Sequence, residues 1–179
     1  MNKLLLSTAL VASVAAAALA PRTASAVDGT INITGNINTS TCQINSATGP
    51  ATIAVTLPTV STTALTAANA VAGRTPFNIV LSNCGSTLTK ATTFFEPGPT
   101  VLSDGNLKNS GTATGVEVQL LNSNFTAISL NAASGSQAVT QATLASGGAT
   151  IPYYAQYFAN AAAGAGTVTT SVQFTMLYQ

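Results

Sequence analysis

Two segments, one near each end of the chain, alternate apolar and polar residues with a period of two. In residues 27–38 the apolar positions are odd-numbered and carry Ile31, Ile33 and Ile37, with Gly35 among them. In residues 168–178 they are even-numbered: Val168, Val172, Phe174, Met176 and Tyr178. This period places successive side chains on opposite faces of a strand. On periodicity alone, the simpler interpretation is two ordinary half-buried strands of one molecule.

The sequence between these two segments also predicts β-strands. Short runs rich in β-branched and aromatic residues are separated by Gly, Asn, Asp and Pro, and many short strands with regular turns favour an all-β sandwich. The predicted strands are 29–38, 52–57, 77–83, 91–96, 116–121, 125–130, 149–158 and 167–178. The Ala- and Thr-rich stretch 61–72 is expected to hold one helical turn or a loop.

Residues 1–26 have the form of a secretory signal peptide. Lys3 supplies a positive start, residues 4–20 are apolar or small, and Ala24-Ser25-Ala26 matches a signal peptidase site. A transmembrane anchor is the alternative, but the run is slightly short and weakly hydrophobic for a span. We therefore predict export, with cleavage after Ala26.

The only two cysteines, Cys42 and Cys84, both follow the signal. In an oxidising compartment, a pair of cysteines most simply forms one disulfide. Closing a loop of this size contributes about 4 kcal/mol in the chain-entropy description. A pair of free or metal-binding thiols is the alternative, although two thiolates without histidine make a poor zinc site.

Composition excludes several classes of function. The chain has no histidine, so neither a Ser-His-Asp triad nor an imidazole metal site is available. Five Lys and Arg residues in 179 give no basic footprint for nucleic acid. Asp104 lies in a Ser-Asp-Gly-Asn turn, and Glu96 and Glu117 are far apart in sequence. We predict no enzymatic activity, no cofactor and no metal site.

An ordered set of short motifs is more specific than any of them alone. The motifs run from the signal to the last residues: 29–37 before Cys42, 72–81 before Cys84, 107–109, 115–120, 151–157, Gly166 fourteenth from the end, and the penultimate Tyr178. Together they resemble the major subunits of type 1-like fimbriae, which are assembled by the chaperone–usher route. The resemblance covers essentially the whole chain.

The resemblance implies an incomplete immunoglobulin-like β-sandwich that lacks its last strand. A neighbouring subunit completes such a fold by donating its N-terminal extension. The implied organisation is a signal peptide (1–26), a donor-strand extension (27–40) and a pilin domain (41–179). The implied donor residues are Ile31, Ile33, Gly35 and Ile37. The implied acceptor groove and C-terminal motif comprise Gly166, Val168, Val172, Phe174, Met176 and Tyr178.

The resemblance also implies partners and location. The expected partners are further copies of the chain in a head-to-tail polymer, other pilins, a periplasmic pilus chaperone and an outer-membrane usher. The chain is expected to pass through the periplasm and to end in a fimbria on the bacterial surface, where it supports cell adhesion. A minor adaptor pilin or a tip-associated adhesin of the same system is the alternative.

Overall fold

The computed structural model describes residues 31–32, 34, 41–47 and 49–179. The chain divides into two units, Met1–Ile37 and Asn38–Gln179, and the fold below is that of the second unit. The predicted signal peptide and the predicted donor residues Ile33, Gly35 and Ile37 lie outside the described residues. No helix in the described ranges has the length and apolar character needed to span a membrane.

Eight strands form two antiparallel sheets in the described part of the chain. They are β1 (Gln43–Ile44), β2 (Val71–Ser82), β3 (Lys90–Phe95), β4 (Leu107–Lys108), β5 (Val116–Asn122), β6 (Ala142–Thr143), β7 (Ala149–Ala159) and β8 (Phe174–Tyr178). The larger sheet has the order β1-β2-β7-β5-β4, and the smaller has the order β6-β3-β8. The only helix described is the 3₁₀ turn Thr62–Ala64, in the stretch where the sequence predicts one helical turn or a loop.

The core lies between the two sheets, and Tyr153 of β7 connects them. Ile79 of β2 pairs in register with Ile151 of β7, and both side chains are buried. The Tyr153 ring packs edge-on against Phe95 of β3, with centroids 5.5 Å apart. Its hydroxyl donates a 2.9 Å hydrogen bond to Thr93 Oγ1, so the one polar atom of this ring is satisfied inside the core.

The predicted disulfide is confirmed. Cys42 and Cys84 are bonded, 42 positions apart in sequence, next to the short β1–β2 ladder. Tyr178, at the end of β8, lies against the main chain of Cys42. Burial raises the pKa of Tyr178, and a hydrogen bond with that main chain acts in the opposite direction. The disulfide thus fixes the start of the domain beside its last strand.

Three predicted strands differ from the observed ones. Residues 52–57 join no ladder with other described residues, and the predicted strand 167–178 forms a regular ladder only from Phe174 onward. Residues 125–130 contribute a single bridge, between Ala127 and Leu121. Beside this bridge, the Asn122 side chain donates hydrogen bonds to Thr126 Oγ1 and to the Ala138 carbonyl.

Replacing both cysteines tests the contribution of the disulfide. Cys42→Ser combined with Cys84→Ser should lower the free energy of unfolding by about 4 kcal/mol, because the unfolded chain regains the freedom of the open loop. The measurement is the denaturation midpoint of the purified subunit, together with its yield in the periplasm. Ser86→Ala, at an exposed site in the same turn, is the control. An unchanged midpoint in the double variant would contradict the expectation.

Candidate functional site

Residues 51–57 form an extended segment with an open edge. Ile53, Val55 and Leu57 pack partly buried against the core, whereas the even-numbered residues between them are exposed. This alternation is that of a strand with one inward face. Nevertheless, no other described residue forms a main-chain hydrogen bond with it. With respect to the described residues, this segment is therefore an unpaired strand edge, of the kind to which a further strand can add.

Residues 166–173, which lead into β8, are paired on one side only. The Thr169 carbonyl accepts a 2.8 Å hydrogen bond from the Ser110 amide, and other odd-numbered carbonyls make similar bonds. Within the described ranges, the main-chain groups of residues 168, 170 and 172 have no such partner. Since N–H and C=O groups alternate in direction along a strand, these unpaired groups point away from the bonded side.

A cavity of about 410 Å³ lies beside these two segments. Its lining is mostly apolar and comes from both sheets and both segments. The segments contribute Ile53, Val55, Thr56, Leu57, Val168, Thr169, Thr170 and Val172, and the sheets contribute Phe77, Ile79, Phe95, Leu107, Val118, Leu120, Ala155, Tyr157 and Phe174. An engineered apolar cavity of about 150 Å³ already binds benzene. This larger space, which we call the groove, can therefore hold several aliphatic side chains.

The Asn109 side chain holds one wall of the groove in place. Its Oδ1 accepts hydrogen bonds from the amides of Gly111 (2.8 Å) and Thr169 (2.9 Å). Its Nδ2 donates to the Ala113 carbonyl at 2.9 Å. One amide thus satisfies backbone groups on two segments at once. The 166–173 segment keeps its extended shape without a complete ladder.

The acidic residues do not assemble into a second site. Glu96 accepts a hydrogen bond from Thr175, whereas Glu117 accepts from Asn106 and Asn160. Within the described residues, no three His, Cys, Asp or Glu side chains could together hold a metal ion.

Asp104 caps its turn, as the sequence predicts. The Asn106 amide donates to Asp104 Oδ1 at 3.1 Å. Desolvation raises the pKa of Asp104. However, the hydrogen bonds that this carboxylate accepts from the Asn106 main chain and side chain, together with its interaction with the Glu117 side chain, outweigh it, so the pKa is lowered overall. This pattern is structural, because the carboxylate is held within its own turn.

Comparison with known proteins identifies the family. The FimA family, whose members are described as "Type-1 fimbrial protein, A", matches residues 57–179, which is most of the chain. The chain belongs to this family. A FimA-family relative, the major fimbrial subunit SMF-1 of Stenotrophomonas maltophilia, is 45% identical over 171 residues, which cover 90% of this chain and 98% of that protein.

Solved structures of chaperone–usher pili share the fold. A chain from one such pilus superposes with a TM-score of 0.62 at 21% identity, over 89% of this chain and 100% of that chain. The P pilus rod subunit PapA gives a TM-score of 0.58 at 18% identity, over 77% of this chain and 99% of PapA. The predicted fold, an all-β incomplete immunoglobulin-like sandwich, is confirmed, and so is the predicted family.

The predicted acceptor residues occupy different positions around the groove. Val168, Val172 and Phe174 line it. Met176 is 8% exposed and belongs to the core behind it, and Tyr178 lies at the disulfide end of β8. Of the predicted donor residues, only Ile31 is described, and it is 88% exposed. The donor and acceptor roles themselves stay predictions.

The sequence reasoning missed the opposite wall of the groove. The β-branched residues of 52–57 predicted a strand, but residue type identifies a strand and not an unpaired edge. Asn109 was missed as well, because one asparagine in an Asn-rich chain gives no signal. Only the structure shows that its amide joins two segments.

Gly166 tests whether the groove wall depends on close backbone packing. A Cβ at this position would overlap main-chain atoms of Thr112 and Ala113, and the residue has a φ of 159°. Gly166→Ala should therefore displace the 166–173 segment and lower the melting temperature of the subunit. Gly49→Ala is the control, because its Cβ would meet no atom within 4 Å. Equal melting temperatures for the two variants would show that the close contact is unimportant.

Proposed function

We propose that this chain is a structural subunit of a bacterial surface fimbria, and that it polymerises head to tail by strand donation. The N-terminal extension of one copy (27–40) occupies the groove of the next. The observation that carries the proposal is the apolar groove, whose two walls both have main-chain groups without a partner in the described part of the chain. Such a site fits an extended peptide better than a small molecule, because only a peptide supplies main-chain partners along both walls.

The energetic argument uses the two alternating segments together. Ile31, Ile33 and Ile37 of the donor lie on one face of a strand, and burial of each isoleucine side chain stabilises by about 1.5–3 kcal/mol. Each new main-chain hydrogen bond adds about 0.5–1.5 kcal/mol. Because donor and groove are on different parts of the chain, the contact is heterologous. It does not close on itself and so generates an open fibre.

The same groove explains why assembly proteins, a chaperone and an usher, are expected. A lone subunit would expose apolar side chains and unpaired strand edges, which is a hazard for aggregation. A periplasmic chaperone that covers the groove before assembly, and an outer-membrane usher that exports the subunit, fit this requirement. We propose both as partners, with passage through the periplasm after removal of the signal peptide.

An interior shaft subunit suits this chain better than a tip adhesin. A tip subunit has no need of a donor extension and usually carries a separate receptor domain. This chain instead matches the major fimbrial subunit SMF-1 over 98% of that protein's length, including the proposed donor segment. A minor adaptor pilin has the same layout and differs in copy number. Nothing in the groove suggests catalysis, and we propose no enzymatic activity.

Gly35→Trp tests the donor segment. A bulky side chain at a position that faces the groove should prevent insertion, so the variant should fold but give no polymer. The assay compares unboiled and boiled surface-sheared material on SDS gels, where the wild type should give a ladder that collapses to one band on boiling. Asn36→Trp is the control, because the neighbouring position faces away from the groove and should keep the ladder. A wild-type ladder from Gly35→Trp would contradict the donor assignment.

Val172→Asp tests the acceptor. A carboxylate on the groove wall should block donation, whereas Ser171→Asp, on the exposed side of the same segment, should not. Subunits with Gly35→Trp keep the groove, and subunits with Val172→Asp keep the donor. Co-expression of the two should therefore give dimers and no longer species. Long ladders from the mixture would contradict a single head-to-tail contact.

A further inference from the structure

The outer face of the smaller sheet carries two opposite charges, one at each end of β3. Because alternate residues of this strand are buried between the sheets, the others point outward. The outward residues of β3 and of its direct continuation are Lys90, Thr92, Phe94 and Glu96. The extended chain between Lys90 and Glu96 places the two charges about 20 Å apart. Charged residues are only 5% of the chain, so two on one strand face need an explanation.

Neither of these charges is neutralised by the described part of its own chain. The Glu96 carboxylate accepts a 2.7 Å hydrogen bond from Thr175 Oγ1 of β8, which holds it on the outer face. Lys90 is exposed at the start of β3. Among the described residues, neither side chain forms an ion pair. Both charges are too far apart to pair with each other.

An apolar patch lies between the two charges. The outward residues of β8 are Thr175 and Leu177, because the even-numbered residues of this strand face the core. Leu177 is 40% exposed and pairs in register with Thr92. Phe94 is half-buried and lies diagonally across the ladder from Leu177. Along β3 this surface, which we call the outer β3 face, is therefore positive, then apolar, then negative.

We propose that the outer β3 face binds the same face of a subunit in a second fimbria, with the two β3 strands antiparallel. The inference rests on the proposed function. A two-fold axis perpendicular to β3 places Lys90 of each copy opposite Glu96 of the other, and Thr92 opposite Phe94. One contact thus forms two ion pairs around an apolar centre. With the strands parallel, like charges would face each other, which is disfavoured.

The two-fold relation assigns the contact to two separate fimbriae. In a head-to-tail polymer, the operation that carries one subunit onto a later one carries that later one further along, and never back. A two-fold axis exchanges its two subunits, so it cannot relate two members of the same polymer. The contact therefore joins fimbriae side by side.

The size of the face explains why the partner is a fibre and not a free subunit. Three strands about 4.8 Å apart, over a length of about 20 Å, present about 300 Å². A stable protein pair buries about 800 Å² on each partner, so a single contact is too weak to hold two subunits together. A fimbria repeats the face at every subunit. After the first contact, the others form at a high effective concentration.

Charge reversal tests the contact in purified, sheared fimbriae at low ionic strength, with low-speed sedimentation and electron microscopy as the assays. Wild-type fimbriae should form bundles that sediment. Lys90→Glu or Glu96→Lys alone should lower the sedimented fraction by about ten-fold or more, because repulsion replaces attraction at every repeated contact. The double variant exchanges the two charges and should bundle like the wild type. Lys108→Glu, on β4 of the larger sheet, is the control with an equal charge change and should also bundle.

Mixing the two single variants gives a second readout. Fimbriae with Lys90→Glu carry only negative charge on the face, and those with Glu96→Lys carry only positive charge. Each should stay dispersed alone, and the two should sediment together when mixed. Leu177→Ser should also weaken bundling, whereas Val80→Ser, at a residue of similar exposure on the larger sheet, should not.

The outcomes separate this contact from the polymer itself. Wild-type fimbriae that stay dispersed, or single variants that bundle like the wild type, would overturn the proposal. A double variant that stays dispersed would overturn the antiparallel arrangement. Unboiled SDS gels of the same samples report polymerisation. Absence of a ladder from the wild type would contradict the proposed function, whereas a normal ladder from dispersed fimbriae contradicts only the lateral contact.

Discussion

The main physical constraint on this domain is the backbone along the groove, where main-chain groups lack partners among the described residues. Main-chain N–H and C=O groups in a folded protein need partners, and a segment that is buried without them is destabilised. Here residues 51–57 and 166–173 each present an inward apolar face, but neither forms a complete ladder with other residues that the structure describes. The domain is one strand short of a closed sandwich. The groove between these two segments is the place where that strand is missing.

The rest of the fold keeps that place open and rigid. The long β2–β7 ladder and the core around Tyr153 form a floor that does not require the missing strand. The disulfide and Tyr178 connect the start of the domain to the end of β8, and Asn109 connects its own turn to the 166–173 segment that lines the groove. A groove held by covalent and side-chain bonds is preorganised, so an incoming strand is not required to order its own binding site.

The sequence predicted the disulfide and most of the long strands, but it did not predict the short strands or the open strand edge. The disulfide and the main strands near 77–83, 91–96, 116–121 and 149–158 follow from cysteine count and residue type, which are local signals. The short strands β1, β4 and β6 were missed, because two-residue ladders arise from tertiary contact. The same limit applies to the groove. Alternation predicted its C-terminal wall, but the open edge at 51–57 depends on which backbone groups meet in space.

The scarcity of charge fits a protein whose main contact is with copies of itself. Charged residues are 5% of the chain, and those in the described region bond mainly to neutral groups. Arg74 donates to Gln156 and lies over the Phe125 ring, and Glu117 accepts from two asparagines. Contacts of this kind are not screened by salt as ion pairs are. A nearly neutral surface also lacks the self-repulsion that would oppose stacking of identical subunits. Low charge favours association of any kind, however, so it cannot by itself choose the correct contact. That choice is left to the shape, hydrogen bonding and register of the groove.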